Sequence, residues 1–452
     1  MRAGHIHFRC FSRAALLLLT TFTVAGCGIF YENSYEGSSY TLYSDRNEAF
    51  LSRVGEKVAR IYSGYQDLFE VPQNSLGTTT IVLEGDDSAV LDYSYSPSVL
   101  GYYIPLLNYI SVDTAPVYTQ SDEMLDQVLL HEIGHHFIVT EHPAASRECW
   151  LNEGLAGALE VTVFDDSAFE YTLLNPILFQ VAQSVAYEPK RNLKLSAVVE
   201  MSWSDFHDPE EKEHNYALAW SIVYFLLDRH LPKDLSLGKR IEMLYDMDRE
   251  AISLLQPEWI LFLKSFDLTG HLLEMAKEPS PEKHLKSLWA IRQLGTLRTL
   301  DNLRMVTALV RLFDSPDPLK RALAYFAFLQ KVEKMAYSYF CCEEHIRQGV
   351  NHIGDVLDDP AEPSTLRQAL AAALGASFNT RSQWLPRLVH LLDGGEGELR
   401  AVAAHSLSLI GGKPTIVNPD FWRNAPDAER HREVAEWKTW LRRQSFSPEP
   451  AP

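Results

Sequence analysis

The sequence predicts an α+β domain followed by an all-α region. Three observations carry this. Short β-branched and aromatic runs, bounded by turn-forming residues, cluster in the first quarter of the chain and alternate with long helical periodicities. From about residue 281 to 412 the periodicity is helical, with no convincing strand. Part of that helical stretch recurs at a fixed offset. The 452 residues exceed the ~100–200 of an ordinary domain, so two or three domains are expected. Hydrophobic and charged contents of 46% and 22% are those of a folded soluble protein. A net charge of -19 argues against a nucleic-acid partner, because phosphate binding needs a basic face. Five cysteines (Cys10, Cys27, Cys149, Cys341, Cys342) make no disulfide framework.

The chain opens with Arg2, Arg9 and Arg13 and an apolar run over 14–25. That run is shorter than the ~20 residues a spanning helix needs, and it fits an export signal. It ends in Val24-Ala25-Gly26-Cys27, which resembles a bacterial lipobox. The resemblance implies a signal peptide over 1–26 and lipid on Cys27, which would hold the protein at a membrane of the bacterial cell envelope. An ordinary secretory cut near Ala25 is the alternative. Gly28, where Asp is absent, is similar to signals that permit sorting to the outer membrane, so in a diderm cell the periplasmic face of that membrane is expected. Residues 27–39 are rich in Tyr, Ser, Gly and Glu and read as a tether.

The first domain is expected over 40–278. Strands are predicted over 40–43, 78–83, 101–104 and 109–112, the last two around a turn at 105–108. A helix is predicted over 47–69, with Phe50, Val54, Val58, Ile61, Tyr65 and Leu68 on one face. Another is predicted over 121–139, capped by Ser121 with Asp122 and Glu123 in its first turn. Over 279–415, Leu309-Val-Arg-Leu-Phe-Asp314 returns as Leu388-Val-His-Leu-Leu-Asp393. Seven residues after each Asp comes Arg-Ala-(Leu/Val)-Ala, at Arg321 and Arg400. A weaker copy runs through Val356-Leu-Asp-Asp359 and Arg367-Gln-Ala-Leu-Ala371. The 79-residue offset is about two units of ~40–47, and the stretch resembles HEAT repeats. The resemblance implies an all-α solenoid with a surface for a protein partner. A plain helical bundle is the alternative. Residues 416–452 hold a last helix, over 429–442, and a Pro-rich tail.

The chemistry-bearing motif is His131-Glu132-Ile133-Gly134-His135. Histidines four apart lie one helical turn apart on one face, so both imidazoles reach one metal. Glu132 is rotated away from that face and left free as a base. This is the division of labour of HExxH zinc sites. A third ligand is needed. Ile138 and Glu141 stand where a metzincin has Gly and His, so that pattern fails. Trp150-Leu151-Asn152-Glu153-Gly154-Leu155-Ala156 resembles the Trp-Leu-Asn-Glu-Gly-x-Ala segment of gluzincins of the aminopeptidase-N type, and lies at close to the family's spacing from His135.

That resemblance implies a gluzincin-like metallopeptidase domain in which His131, His135 and Glu153 hold Zn2+ and Glu132 activates water. It also implies an oxyanion-stabilising tyrosine, which falls on Tyr216 at the head of an apolar helix. His214 is a weaker candidate for the same task. Glu160, one helical face on from Glu153, is placed to hold a ligand histidine. His136 faces away from the pair. The Gly-x-Met-Glu-Asn segment that binds a free substrate amino terminus is missing, which favours an endopeptidase acting on a peptide or protein. An inert envelope scaffold working through its repeats, and a zinc hydrolase of other bonds, are the alternatives.

Overall fold

The computed structural model describes residues 31–72, 76–84, 101–114, 122–189, 191–278, 284–297, 301–335, 342–375, 381–410 and 418–444. The export signal, Cys27, the Ser121 cap, Cys341 and the Pro-rich tail lie outside them. The chain forms two compact units, which divide between Phe266 and Asp267. Among the described residues no helix is long and apolar enough to cross a membrane.

The first unit is α+β. Its sheet comprises β1 (Asn33–Glu36), β2 (Tyr40–Ser44), β3 (Thr79–Glu84), β4 (Gly101–Ile104) and β5 (Tyr109–Asp113), in the order β1-β2-β3-β5-β4. β2, β3 and β5 are parallel, while β1 and β4 are antiparallel edges. Leu42, Ile81 and Ile110 pair in register and are fully buried, forming one row of the core. The parallel step from β2 to β3 needs a crossover, and helix α1 (Glu48–Phe69) supplies it. Its first turn is capped by Asn47, whose side chain accepts from the Phe50 N–H. Val54, Val58, Ile61 and Tyr65 form its buried stripe.

Asn33–Glu36 lies inside the stretch expected to be a tether. It is a strand because it pairs with β2 and because Tyr35 packs onto Gly55 of α1, where any Cβ would sit 2.6 Å from the tyrosine ring. The Pro105–Leu107 turn joins β4 to β5 and closes on Asn108 in the left-handed region (φ 47°).

Helix α2 (Asp122–Glu141) is covered on several sides, because α1, β4, β5 and α3 (Cys149–Leu159) all pack on it. Leu129, Ile133 and Phe137 are fully buried, and the Tyr65 hydroxyl donates to the Leu130 carbonyl at 2.9 Å. A two-stranded hairpin, β6 (Val163–Phe164) and β7 (Phe169–Glu170), follows. Helices α4 (Pro176–Tyr187), α5 (Leu195–Val199), α6 (Trp203–Phe206), α7 (Lys212–Phe225), α8 (Leu237–Tyr245), α9 (Arg249–Leu254) and α10 (Gln256–Ser265) complete the unit.

Helix α3 is buried along its whole length and lies tightly on α7. The approach is closest at Gly154, where a Cβ would stand 2.6 Å from the Ala219 carbonyl oxygen. Glycine is therefore required there by backbone contact. Gly154→Ala is expected to destabilise the unit by about 1–3 kcal/mol through overpacking, and so to lower Tm by several degrees. A circular-dichroism melt superimposable on wild type would show that the backbones do not touch there.

The second unit is all-α: α11 (Leu268–Lys277), α12 (His284–Thr296), α13 (Asn302–Leu312), α14 (Pro318–Lys334), α15 (Glu343–Asp358), α16 (Ser364–Gly375), α17 (Arg381–Gly394), α18 (Gly397–Ile410), α19 (Pro419–Asn424) and α20 (Asp427–Gln444). Helix α11 was expected in the first domain but packs on α12 here. Helices α12, α14, α16 and α18 contact one another in succession, as do α13, α15 and α17. Three arginines make the same kind of contact. Arg321 donates to the Ser315 carbonyl (2.9 Å), Arg367 to that of Leu357 (2.9 Å) and Arg400 to that of Gly395 (2.5 Å). Each satisfies a carbonyl at or just past the end of the preceding helix. Ala324, Ala371 and Ala403 are fully buried. Cys342 is buried.

Candidate metal centre

Helix α2 brings His131 and His135 together at one turn's spacing, their Nε2 atoms 3.1 Å apart. Helix α3 supplies Glu153, whose Oε2 lies 3.5 Å from His131 Nε2 and 3.4 Å from His135 Nε2. The three side chains form a compact cluster of potential metal ligands.

What matters is which atoms face each other. His131 Nδ1 is 2.7 Å from Glu160 Oε2, and a carboxylate only accepts, so Nδ1 carries the proton. His135 Nδ1 lies 3.0 Å from the Asn152 side-chain oxygen, which sets the same tautomer. In the neutral imidazoles that a metal requires, both Nε2 atoms are then unprotonated. Two lone pairs and a carboxylate oxygen converge with no donor between them, and Glu153 Oε2 is buried without a hydrogen-bond partner. Burying an unpaired carboxylate oxygen costs about 1–3 kcal/mol or more. A cation at the centre of the three removes that cost.

Electrostatics agree. Burial works against a charged His131, but hydrogen bonds to Glu153 and Glu160 raise its pKa well above the ordinary value. Burial likewise opposes a charged His135, and the Glu153 carboxylate overrides it and raises the pKa. Burial would raise the Glu153 carboxyl, but the two histidines hold it well below the usual range. The pocket therefore attracts positive charge. Zinc bound at about 2.0–2.1 Å by tetrahedral donors has them about 3.3–3.4 Å apart. The separations here, 3.1 to 3.5 Å, bracket that figure. Two neutral imidazoles and one carboxylate are also the donor set of catalytic zinc sites, so the residues fit the metal.

Compared with protein-family models, with curated proteins and with solved structures, the chain matches none. What the centre can do is therefore decided by its own atoms.

Glu132 is buried on α2 beside the cluster but is not part of it. Burial raises its carboxyl, and His131 and His135 partly offset this. The edge strand runs against it, for a Cβ on Gly101 would meet Glu132 Cγ at 2.9 Å. Glu160 sits where α3 ends and is clasped from both sides, because Asn175 Nδ2 donates to its Oε1 at 2.6 Å while its Oε2 accepts from His131 Nδ1. Glu160→Ala is expected to weaken zinc binding about 10–100-fold. Competition against a chelating dye measures this, and an unchanged affinity would show that the clasp does not orient His131.

Tyr216 is in the first turns of α7. Burial, then the charges of Glu153 and Glu132, raise its hydroxyl well above the ordinary value, so it remains a neutral donor. His214 is turned elsewhere, with Nδ1 3.2 Å from Arg191 Nη1 and 3.1 Å from Glu211 Oε2. Three contacts escape sequence reasoning. Asn152 stands inside the quoted motif, yet its partner 17 positions away is fixed only by how α2 and α3 cross. His136 is buried between the Tyr103 hydroxyl (3.2 Å) and Thr79 Oγ1 (3.3 Å), tying α2 to the sheet, and burial lowers its pKa to about 4. His207 Nε2 lies 3.4 Å from the Tyr216 hydroxyl, and no periodicity marks its loop.

Proposed function

We propose that the chain is a zinc-dependent hydrolase of peptide bonds, an endopeptidase with a gluzincin-like centre. The observation that carries this is the convergence of three potential ligand atoms, His131 Nε2, His135 Nε2 and Glu153 Oε2, with a buried carboxylate, Glu132, set beside them and outside the ligand set. A purely structural site has no use for that fourth group. Zinc held there supplies a water acidified toward a pKa of ~7 and positive charge facing the substrate carbonyl. Glu132 takes the water's proton as the carbonyl carbon is attacked and then hands it to the departing nitrogen. Tyr216 donates to the oxyanion that forms. Glu160 and Asn152 keep both imidazoles in the ligating tautomer throughout. β4, an edge strand among the described residues, offers backbone hydrogen bonds to an extended peptide beside Glu132.

The wider reading is also a proposal. Lipid on Cys27 tethers the enzyme in the bacterial envelope, at the periplasmic face of the outer membrane in a diderm cell. The helix pairs of the second unit stack as HEAT-like repeats and offer a surface to a protein partner. The rival is an inert envelope scaffold working through those repeats.

The test is zinc content together with cleavage of casein. Purified protein is expected to hold one zinc per chain and to cleave casein. A chelator such as 1,10-phenanthroline should abolish cleavage, and added zinc should restore it. Protein that carries no stoichiometric zinc and takes none up would sink the proposal.

A further inference from the structure

Around Tyr216 the chain builds more than a phenol on a helix. The loop carrying α6 is fastened to the head of α7 by Asn215, which is buried and donates from Nδ2 to the carbonyls of Asp205 and Phe206, each at 3.2 Å. Phe206 packs on the Tyr216 ring at 5.0 Å between centroids. Trp203, which opens α6, donates from its indole to the Ser146 carbonyl at 3.2 Å, in the connection between the two metal-ligand helices. On its other side Trp203 stacks on His207, with centroids 5.4 Å apart and planes 14° apart. His207 Nδ1 lies 3.0 Å from the Trp203 carbonyl, and a carbonyl only accepts, so Nδ1 bears the proton and Nε2 a lone pair. That lone pair faces the Tyr216 hydroxyl at 3.4 Å.

We propose that His207 is the positioning residue for Tyr216: held by Trp203, its Nε2 hydrogen-bonds the phenol hydroxyl and fixes it toward the metal centre. This rests on the hydrolase reading above. The physical need is plain. A phenol at the mouth of a site turns freely about its side-chain bonds, and a donor aids the developing oxyanion only where it is already in place. The stack and the Nδ1 bond fix the imidazole ring, and the ring fixes the oxygen. As the oxyanion forms, the Tyr216 proton swings from Nε2 to the substrate oxygen while the phenol oxygen stays where His207 holds it.

The test is steady-state hydrolysis of a quenched fluorescent peptide chosen from the casein bonds that wild type cleaves. His207→Ala is expected to lower kcat roughly fivefold to tenfold, about the worth of one hydrogen bond, with KM and zinc content unchanged. His207→Gln, whose amide also reaches the hydroxyl, should recover most of it. In a Tyr216→Phe background, His207→Ala should add nothing, since the two act as one unit. A loss of kcat that persists in that background, or one that appears in KM instead, overturns the proposal. The contact is also read without activity. In metal-free protein labelled with 15N-histidine, Tyr216→Phe must shift the His207 Nε2 resonance, and an unmoved resonance rejects the assignment even if no substrate is ever cleaved. Failure of wild type to cleave any peptide while the resonance moves would instead count against the hydrolase reading and leave the contact standing.

Discussion

Glu132→Gln should keep its zinc and lose its activity. The substitution preserves shape and removes only the ability to take a proton. Glu132 is outside the cluster formed by His131, His135 and Glu153, so metal affinity should stay close to wild type. General base catalysis contributes typically 10²–10⁴-fold, and casein cleavage should fall by about that factor. Burial raises the Glu132 carboxyl, which brings its proton affinity nearer to that of the water it must deprotonate. Side by side, wild type and Glu132→Gln separate the enzyme from the scaffold reading. Equal zinc with unequal cleavage supports the enzyme. Equal zinc with no cleavage by either protein, across casein and envelope protein mixtures, favours the scaffold.

The parts of this molecule that sequence discloses are those set by local periodicity. His131 and His135 announce themselves because four residues make one turn. Glu160 is two turns on from Glu153, on the same helix face, and its Oε2 lies 2.7 Å from His131 Nδ1. The helix predicted over 47–69 and the strands predicted at 40–43, 78–83, 101–104 and 109–112 are local in the same sense. What was hidden depends on how elements cross. Asn152 and Glu153 are neighbours in sequence, but only the approach of α3 to α2 decides that one takes a ring proton and the other faces the lone pairs. Asn33–Glu36 has too little apolar content to read as a strand, and one tyrosine resting on a helix glycine tips it into the sheet. His207 meets Tyr216 only because Asn215 folds the intervening loop back on α7.

Glu153→Ala should cost stability without metal and cost more with it, and the widening of that gap is its diagnostic. In the metal-free chain the two histidines hold the Glu153 carboxyl well below the usual range, so the buried carboxylate is balanced by their charge. Removing it takes away the packing of one methylene, ~0.8 kcal/mol, and below the raised pKa values of the histidines it leaves their charge buried without its partner. Metal-free Glu153→Ala is therefore expected to melt below the wild-type temperature. With zinc the gap widens. Wild type gains about 2.7 kcal/mol when free zinc stands at a hundred times Kd. Loss of one of three protein ligands should weaken zinc binding by more than the 10–100-fold typical of losing an outer hydrogen-bond partner, so the variant gains little at the same zinc concentration. Thermal melts of both proteins, with chelator and with zinc, measure all four states. A Glu153→Ala protein that zinc stabilises as strongly as wild type would remove Glu153 from the ligand set. One that melts with wild type in the absence of metal would show that the carboxylate and the histidines do not balance each other's charge there.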